Sequence, residues 1–136
     1  MTTITCKKIE DGKRVNHTAE LFGTRFPFTL EPAIYSFTSN LSREYTGGYW
    51  HFYELSNGGF YMAPDDKTKF PVSCENGFQG SLSADALGIT ACLYAYSHLS
   101  FSDSPDFAET CAQQYHLLRE FMFEHPEAKT IQRAID

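Results

Sequence analysis

Clustered positive charge, paired cysteines and long apolar runs are all missing from this chain, and each absence excludes a class of function. Lys and Arg number 11 against 17 Asp and Glu, a net charge of −6 over 136 residues. Binding to nucleic acid through phosphates needs clustered cations, so no direct nucleic-acid binding is expected. The acid is equally too sparse to imitate DNA. Duplex DNA carries one charge per roughly 1.7 Å, so a mimic about 20 Å long needs about a dozen negative charges on one surface. The whole chain has half that, spread as +1 over residues 1–48, −3 over 49–102 and −4 over 103–136.

Residues 1–8 hold no apolar run behind a basic flank, so no export signal is expected. The longest uncharged stretch, Ala86–Ser102, is interrupted by Thr90, Ser97, His98 and Ser100. It falls short of the roughly 20 apolar residues that a membrane span requires. Cys6, Cys74, Cys92 and Cys111 show no paired spacing. Without an export signal this predicts reduced thiols in the cytoplasm, serving as small apolar residues. No Gly-rich phosphate loop precedes a helix and no strand–Ser–helix elbow is present. His17, His51, His98, His116 and His125 show no metal-ligand spacing. His116 and Glu120, one helical turn apart, read as a solvated pair and not as half a metal site. Asp65-Asp66 reads as a solvated turn beside Lys67. His98 is expected to satisfy the end of its helix. No metal, cofactor or catalytic residue is assigned.

What the chain does have is aromatic rings, 12 Phe, 8 Tyr and one Trp, enough to predict one well-packed domain over residues 1–136. They concentrate in Thr46–Pro64, which reads as a β-hairpin. Tyr49, His51, Tyr53 and Leu55 alternate onto one face, and Trp50, Phe52 and Glu54 onto the other. Asn57-Gly58 supplies the turn, Phe60–Ala63 the return strand, and Pro64 ends the pairing. A second hairpin is predicted from Lys69–Glu75 and Phe78–Leu82 around Asn76-Gly77. The two should join in an antiparallel meander of three or four strands, one face of which must be covered.

Helices supply the cover. Ser83 is an N-cap and Asp85 suits the first turn of a helix over Ala84–Leu99, apolar nearly all round and hence buried. Within it Gly88 costs about 1 kcal/mol of helix propensity relative to Ala, which close packing against the sheet would explain. Ser104-Pro105 opens a long amphipathic helix with Phe107, Cys111, Tyr115, Leu118 and Met122 on one stripe. Pro126 starts a last short helix. Earlier, Thr2–Val15 suggests a strand near Ile4 and a charged loop. Asn16 would cap a helix over His17–Phe22 ended by Gly23. After a loop over Thr24–Leu30, a helix begins at Pro32 and stops near Tyr45. The fold class is α+β: an antiparallel sheet of three to four strands packed on a buried helix, with a helical C-terminal half.

The candidate interaction residues are Tyr49, Trp50, Tyr53, Glu54 and Tyr61, because exposed Tyr and Trp dominate interface energetics. Core packing is the expected fate of at least half of the aromatics among them. Glu54, a charge inside an aromatic strand, either faces solvent or pairs with Lys69 or Arg43. Asp136 is a further candidate, since an acid at a helix C-terminus opposes the dipole.

Taken together, Gly47–Trp50, Phe52–Pro64, Asn76–Phe78, Leu82–Ala86, Gly88-Ile89, Ser97–Phe101, His125–Ala128 and Ala134–Asp136 resemble the KlcA/ArdB family of antirestriction proteins. The resemblance covers most of the chain from about Phe22 onward. It implies a small cytoplasmic α+β protein carried on plasmids, phages or genomic islands, whose family relieves restriction of incoming DNA by type I restriction–modification enzymes. Members of this family, unlike the highly acidic ArdA type, are not regarded as DNA mimics, and the family offers no accepted catalytic residues. The expected mode of action is a contact with the type I complex, or with an associated host factor, made by a monomer that is not an enzyme. The rival expectation is a small cytoplasmic hydrolase-like enzyme using Glu54 with a histidine. His51 and Glu54 pointing to opposite faces of one strand count against a joint site.

Overall fold

Strand alternation and two Asn-Gly turns set the frame of the molecule, described for residues 3–136 by a computed structural model. In chain order the elements are β1 (Cys6–Lys8), α1 (Arg14–Phe22), α2 (Glu31–Leu41), β2 (Trp50–Leu55) and β3 (Phe60–Pro64). They continue with β4 (Phe70–Ser73), β5 (Gln79–Leu82), α3 (Ala84–Leu99), α4 (Pro105–Met122) and α5 (Ala128–Ile135). The fold is α+β with a helical C-terminal half, as the sequence predicts.

Both predicted hairpins form, with Tyr53 opposite Tyr61 in one and Val72 opposite Gly80 in the other. Gly58 and Gly77 take φ of +93° and +92°, the conformation these turns require. Each preceding asparagine works twice. Asn57 Oδ1 accepts from the Gly59 N–H, and its Nδ2 donates to the Leu117 carbonyl of α4 at 2.9 Å. Asn76 likewise takes the Phe78 N–H and donates to the Arg133 carbonyl of α5 at 3.0 Å. The turns are thereby clamped to two different helices.

The hairpins do not join in one meander. They belong to separate sheets, β1-β2-β3 and β4-β5, all pairs antiparallel. The reason lies at the outer edge of β3, which helices occupy before any fourth strand could. The Phe60 N–H donates to Gln114 Oε1 of α4 at 2.9 Å, and Tyr96 Oη of α3 donates to the Phe60 carbonyl at 2.8 Å. Cys92 Sγ lies 3.7 Å from the Met62 carbonyl, and Gln114 Nε2 donates to the Gly58 carbonyl at 3.1 Å. Burial pushes the Cys92 thiol up to about 12, keeping it the neutral donor this contact needs. Gln114 therefore takes the buried place on α4 expected for Tyr115, which is half-buried.

α3 reaches this edge because of Gly88. A Cβ added there would stand 2.5 Å from Ala63 Cα and closer still to the Met62 carbonyl oxygen. The helix is buried from Ala84 to Tyr96 apart from Asp85 and Tyr94, and Ser83 caps it by accepting the Ala86 N–H.

The N-terminal half departs further from expectation. The predicted strand region began at Thr2, which lies outside the described residues; the strand itself is Cys6–Lys8. Helix α1 starts at Arg14, ahead of Asn16, because Arg14 Nη2 is anchored to the sheet by the Trp50 carbonyl at 2.8 Å. Gly23 ends it as expected, at φ +61°. Phe26–Leu30, expected as a loop, is a π-helical turn running straight into α2, held by burial of Phe26 and Leu30. α2 stops at Leu41, ahead of the expected Tyr45. α5 starts at Ala128, two residues after Pro126.

Replacing Gly88 by Ala forces α3 off β3. Overpacking of this kind costs about 2 kcal/mol beyond the gain in helix propensity. Urea unfolding of Gly88→Ala should show that loss, whereas a neutral or stabilised variant would contradict the close approach.

Candidate interaction surface

Alternation places Cys6 and Lys8 of β1, His51 and Tyr53 of β2, and Tyr61 of β3 on one face of the first sheet, with Tyr49, the residue before β2, continuing that face. The rings make a continuous ladder. Tyr49 meets His51 edge-on at 5.3 Å, and His51 lies 6.3 Å from Tyr53. Tyr53 stacks on Tyr61 at 4.8 Å, Tyr61 stacks on Phe121 at 5.8 Å, and Phe121 meets His125 at 6.5 Å. Exposure falls along the ladder to Tyr61: Tyr49 is 48% exposed, His51 and Tyr53 are half-buried, and Tyr61 is 1% exposed beneath the end of α4, with Phe121 and His125 half-buried beyond it.

Carboxylates line it. Tyr49 Oη donates to Asp11 and accepts from Arg14 Nη2 at 2.8 Å. His51 Nε2 lies 3.2 Å from Asp65 Oδ1. Asp85 binds two elements at once, accepting from Tyr61 Oη at 2.8 Å and from His125 Nε2 at 2.9 Å. Because His125 Nδ1 accepts the Glu127 N–H at 3.0 Å, the ring hydrogen must sit on Nε2 and point at Asp85. Both nitrogens are thus committed, and His125 is a brace and not a base. Glu127 in turn accepts from the Ser83 N–H and Oγ–H. Burial first, then the Asp85 charge, holds the Tyr61 hydroxyl far above its ordinary value. Since that hydroxyl gives its hydrogen to Asp85, the Cys6 thiol 3.6 Å away is the donor to it.

The predicted site residues therefore separate. Tyr49 and Tyr53 remain at the surface together. Tyr61 joins them in the ladder but is covered, and Trp50 is 3% exposed, its Nε1 donating to Tyr45 Oη at 2.8 Å, so neither is a free contact residue. Glu54 points to the opposite face and lies 3.6 Å from His17 Nδ1; it pairs with neither Lys69 nor Arg43. Asp136 is exposed at the end of α5, whose last carbonyls are held by Tyr94 and Asn76. His98 is exposed and packs edge-on against Phe37 at 5.8 Å.

Asp11, Asp65, Asp85, Phe121 and His125 were missed as parts of this surface, because residues from five segments meet only in the fold. The one local signal was Asp85, two residues after an N-cap, which reads as a helix-dipole acid. A groove of about 570 Å³ lies on the inner side, between α1 and the Phe26-Pro27 turn, lined by Val15, Ala19, Phe26, Pro27 and Phe52 with Arg14 and Glu31. Neither Glu54 nor His17 lines it. Among the described residues no group of three or more His, Cys, Asp or Glu is placed to hold a metal, and no helix is long and apolar enough to cross a membrane.

The family model described as Antirestriction protein matches residues 43–136, which include the ladder strands, α3 and the Asp85–His125 brace. The chain belongs to the antirestriction protein family. Antirestriction protein KlcA of Escherichia coli is 40% identical to it over 135 residues, spanning 98% of this chain and 95% of KlcA. Putative antirestriction protein YubI of Escherichia coli K12 is 35% identical over 133 residues, 94% of this chain and 93% of YubI. A solved structure from work on the KlcA and ArdB proteins superposes with a TM-score of 0.90 at 40% identity, covering all of both chains. That work describes a novel fold and antirestriction activity against type I DNA restriction systems in vivo but not in vitro. The match to this antirestriction fold thus extends over the first 42 residues, beyond the family model's reach.

Removing the Asp85 carboxylate leaves the buried Tyr61 hydroxyl and the His125 N–H without an acceptor. Unpaired buried donors cost about 1–3 kcal/mol each; with Asp85 part-exposed, Asp85→Ala should lose about 2 kcal/mol in urea unfolding. A change below about 0.5 kcal/mol, the ordinary surface value, would mean that the brace does not hold the ladder.

Proposed function

We propose that this chain relieves restriction of incoming DNA by type I restriction–modification enzymes, acting as a protein-binding module through the Tyr49–His51–Tyr53 face. The observation that carries the reading is an aromatic ladder that stays partly open to solvent while everything behind it is fixed. Pre-set aromatic side chains lose little freedom on binding and dominate contact energies. The activity described for KlcA and ArdB, present in cells and absent in vitro, fits a mode that needs a component of the living cell. The module acts in the cytoplasm as a monomer. It engages the restriction complex, or a host factor associated with it, after DNA has bound and before translocation or cleavage is complete.

Catalysis is not part of this reading. The one Glu54–histidine contact, with His17, is open, with side chains 40% and 25% exposed, and no nucleophile hydrogen-bonds to either partner among the described residues. Glu54→Gln should leave protection unchanged.

The test is plating of unmodified phage on a type I restricting host that expresses the protein. Tyr49→Ala combined with Tyr53→Ala, in protein shown to fold, should cut protection at least about tenfold, the effect of losing one strong contact residue. Full protection by the double variant would exclude this face.

A further inference from the structure

β1 bounds the first sheet on the side opposite β3, and it is bare. All three of its residues are exposed, and it pairs with β2 alone. The side chains that close the β3 edge have no counterpart here among the described residues. The ladder decides which backbone groups are left over. The Ser56 N–H donates to the Thr5 carbonyl at 2.9 Å, and the Ile9 N–H donates to the Phe52 carbonyl at 2.8 Å. Thr5, Lys7 and Ile9 therefore turn their backbone groups to β2, and Cys6 and Lys8 turn theirs outward. Two N–H donors and two carbonyl acceptors stand in that outward row, which holds no bulge and no proline. Toward the N-terminus the chain is occupied, since the Ile4 N–H donates to Glu124 Oε1 at 3.0 Å.

A short, lysine-bearing edge is a common device against unwanted pairing, and the charges say which pairing is prevented here. Lys7 and Lys8 project to opposite faces of the sheet, and neither forms an ion pair among the described residues. Glu54, opposite Lys7 in register, is turned to His17 at 3.6 Å. A second copy of β1 laid alongside would bring lysine against lysine, which is destabilising. An extended segment with acidic side chains meets opposite charge on both faces instead.

We infer that the partner protein adds an extended acidic segment to β1 as a fourth strand, bonding to the Cys6 and Lys8 backbone and setting carboxylates against Lys7 and Lys8. In such an addition the main-chain bonds give affinity and the alternate side chains give specificity. The added strand runs along the border of the outer face, one strand away from Tyr53, whose register partner is Lys8. The inference rests on the proposed contact face and adds the chemistry of what meets its edge.

The test follows backbone amides of the isotope-labelled full chain by NMR. The probe is a capped hexapeptide, threonine-valine-glutamate-glutamate-valine-threonine, whose adjacent glutamates fall on opposite faces of a strand as Lys7 and Lys8 do. The Cys6 and Lys8 amides should move downfield saturably, with a dissociation constant of about the millimolar order. The Lys7 amide, turned to β2, should move little. The same peptide with glutamines should bind about threefold more weakly, the size of exposed charge pairs. Lys8→Pro loses one outward donor and leaves the β2 ladder intact, so it should bind at least about fivefold more weakly than Lys8→Ala, the size of one lost hydrogen bond. Lys7→Glu combined with Lys8→Glu, both at exposed positions, leaves the backbone alone and should remove the preference for glutamate. Equal shifts at Cys6, Lys7 and Lys8, equal binding of the glutamine peptide, no saturable shift, or equal binding by Lys8→Pro and Lys8→Ala would overturn the inference. The contact face is judged separately: loss of phage protection in the Tyr49, Tyr53 double variant beside a failed titration removes the added strand and keeps the face.

Discussion

The outer edge of β3 has to be closed by side chains, because its backbone is buried and no further strand among the described residues lies beside it. β3 ends the sheet order β1-β2-β3, yet Phe60, Tyr61, Met62, Ala63 and Pro64 are all buried. An unpaired buried backbone group costs about 1–3 kcal/mol, so the edge would be untenable if left bare. Gln114, Tyr96 and Cys92 supply the partners, and each asks for something upstream. Tyr96 and Cys92 must project from a helix pressed against the strand, which Gly88 permits. Gln114 must come from α4, which Asn57 holds in place through the Leu117 carbonyl.

That closure decides where function can sit. With its β3 edge and inner face covered by helices, the sheet offers its outer face and the exposed β1 edge, and α4 closes the Tyr61 end of that face. What remains open is Tyr49, His51, Tyr53, Cys6 and Lys8, underpinned by Asp85 and His125. The aromatic stretch that reads as a recognition surface is thus a core wall on one side and a partly open face on the other. Trp50 and Tyr53, three residues apart, belong to different worlds because a strand turns its side chains with a period of two.

Features governed by local physics were legible in the chain: both Asn-Gly hairpins, the Ser83 cap, the buried α3, the need for Gly88, and the opposition of His51 to Glu54. Features governed by distant partners were not. Glu54 pairs with His17 across 37 positions, so neighbouring charges gave no guide to it. Arg14 begins its helix early because it is tied to a strand 36 residues away. Gln114 reads as a polar interruption of an apolar stripe, and only the bare edge of β3 explains its burial. The split into two sheets follows from the same edge, which no pattern in the strands themselves announces. Of the candidate site, the aromatic half was readable and the carboxylate half was not, since Asp11, Asp65 and Asp85 come from three connections that only the fold brings together.

Native-state amide hydrogen exchange at Phe60 tests the organising role of this edge most directly. Its N–H has a side-chain acceptor and no backbone one, so in an ordinary edge strand it would exchange quickly. If Gln114 closes the edge, Phe60 should exchange only with global unfolding, as slowly as Leu93 in the middle of α3, and Gln114→Leu should release it. Fast exchange at Phe60 in the unaltered protein, or no change on replacing Gln114, would contradict the account.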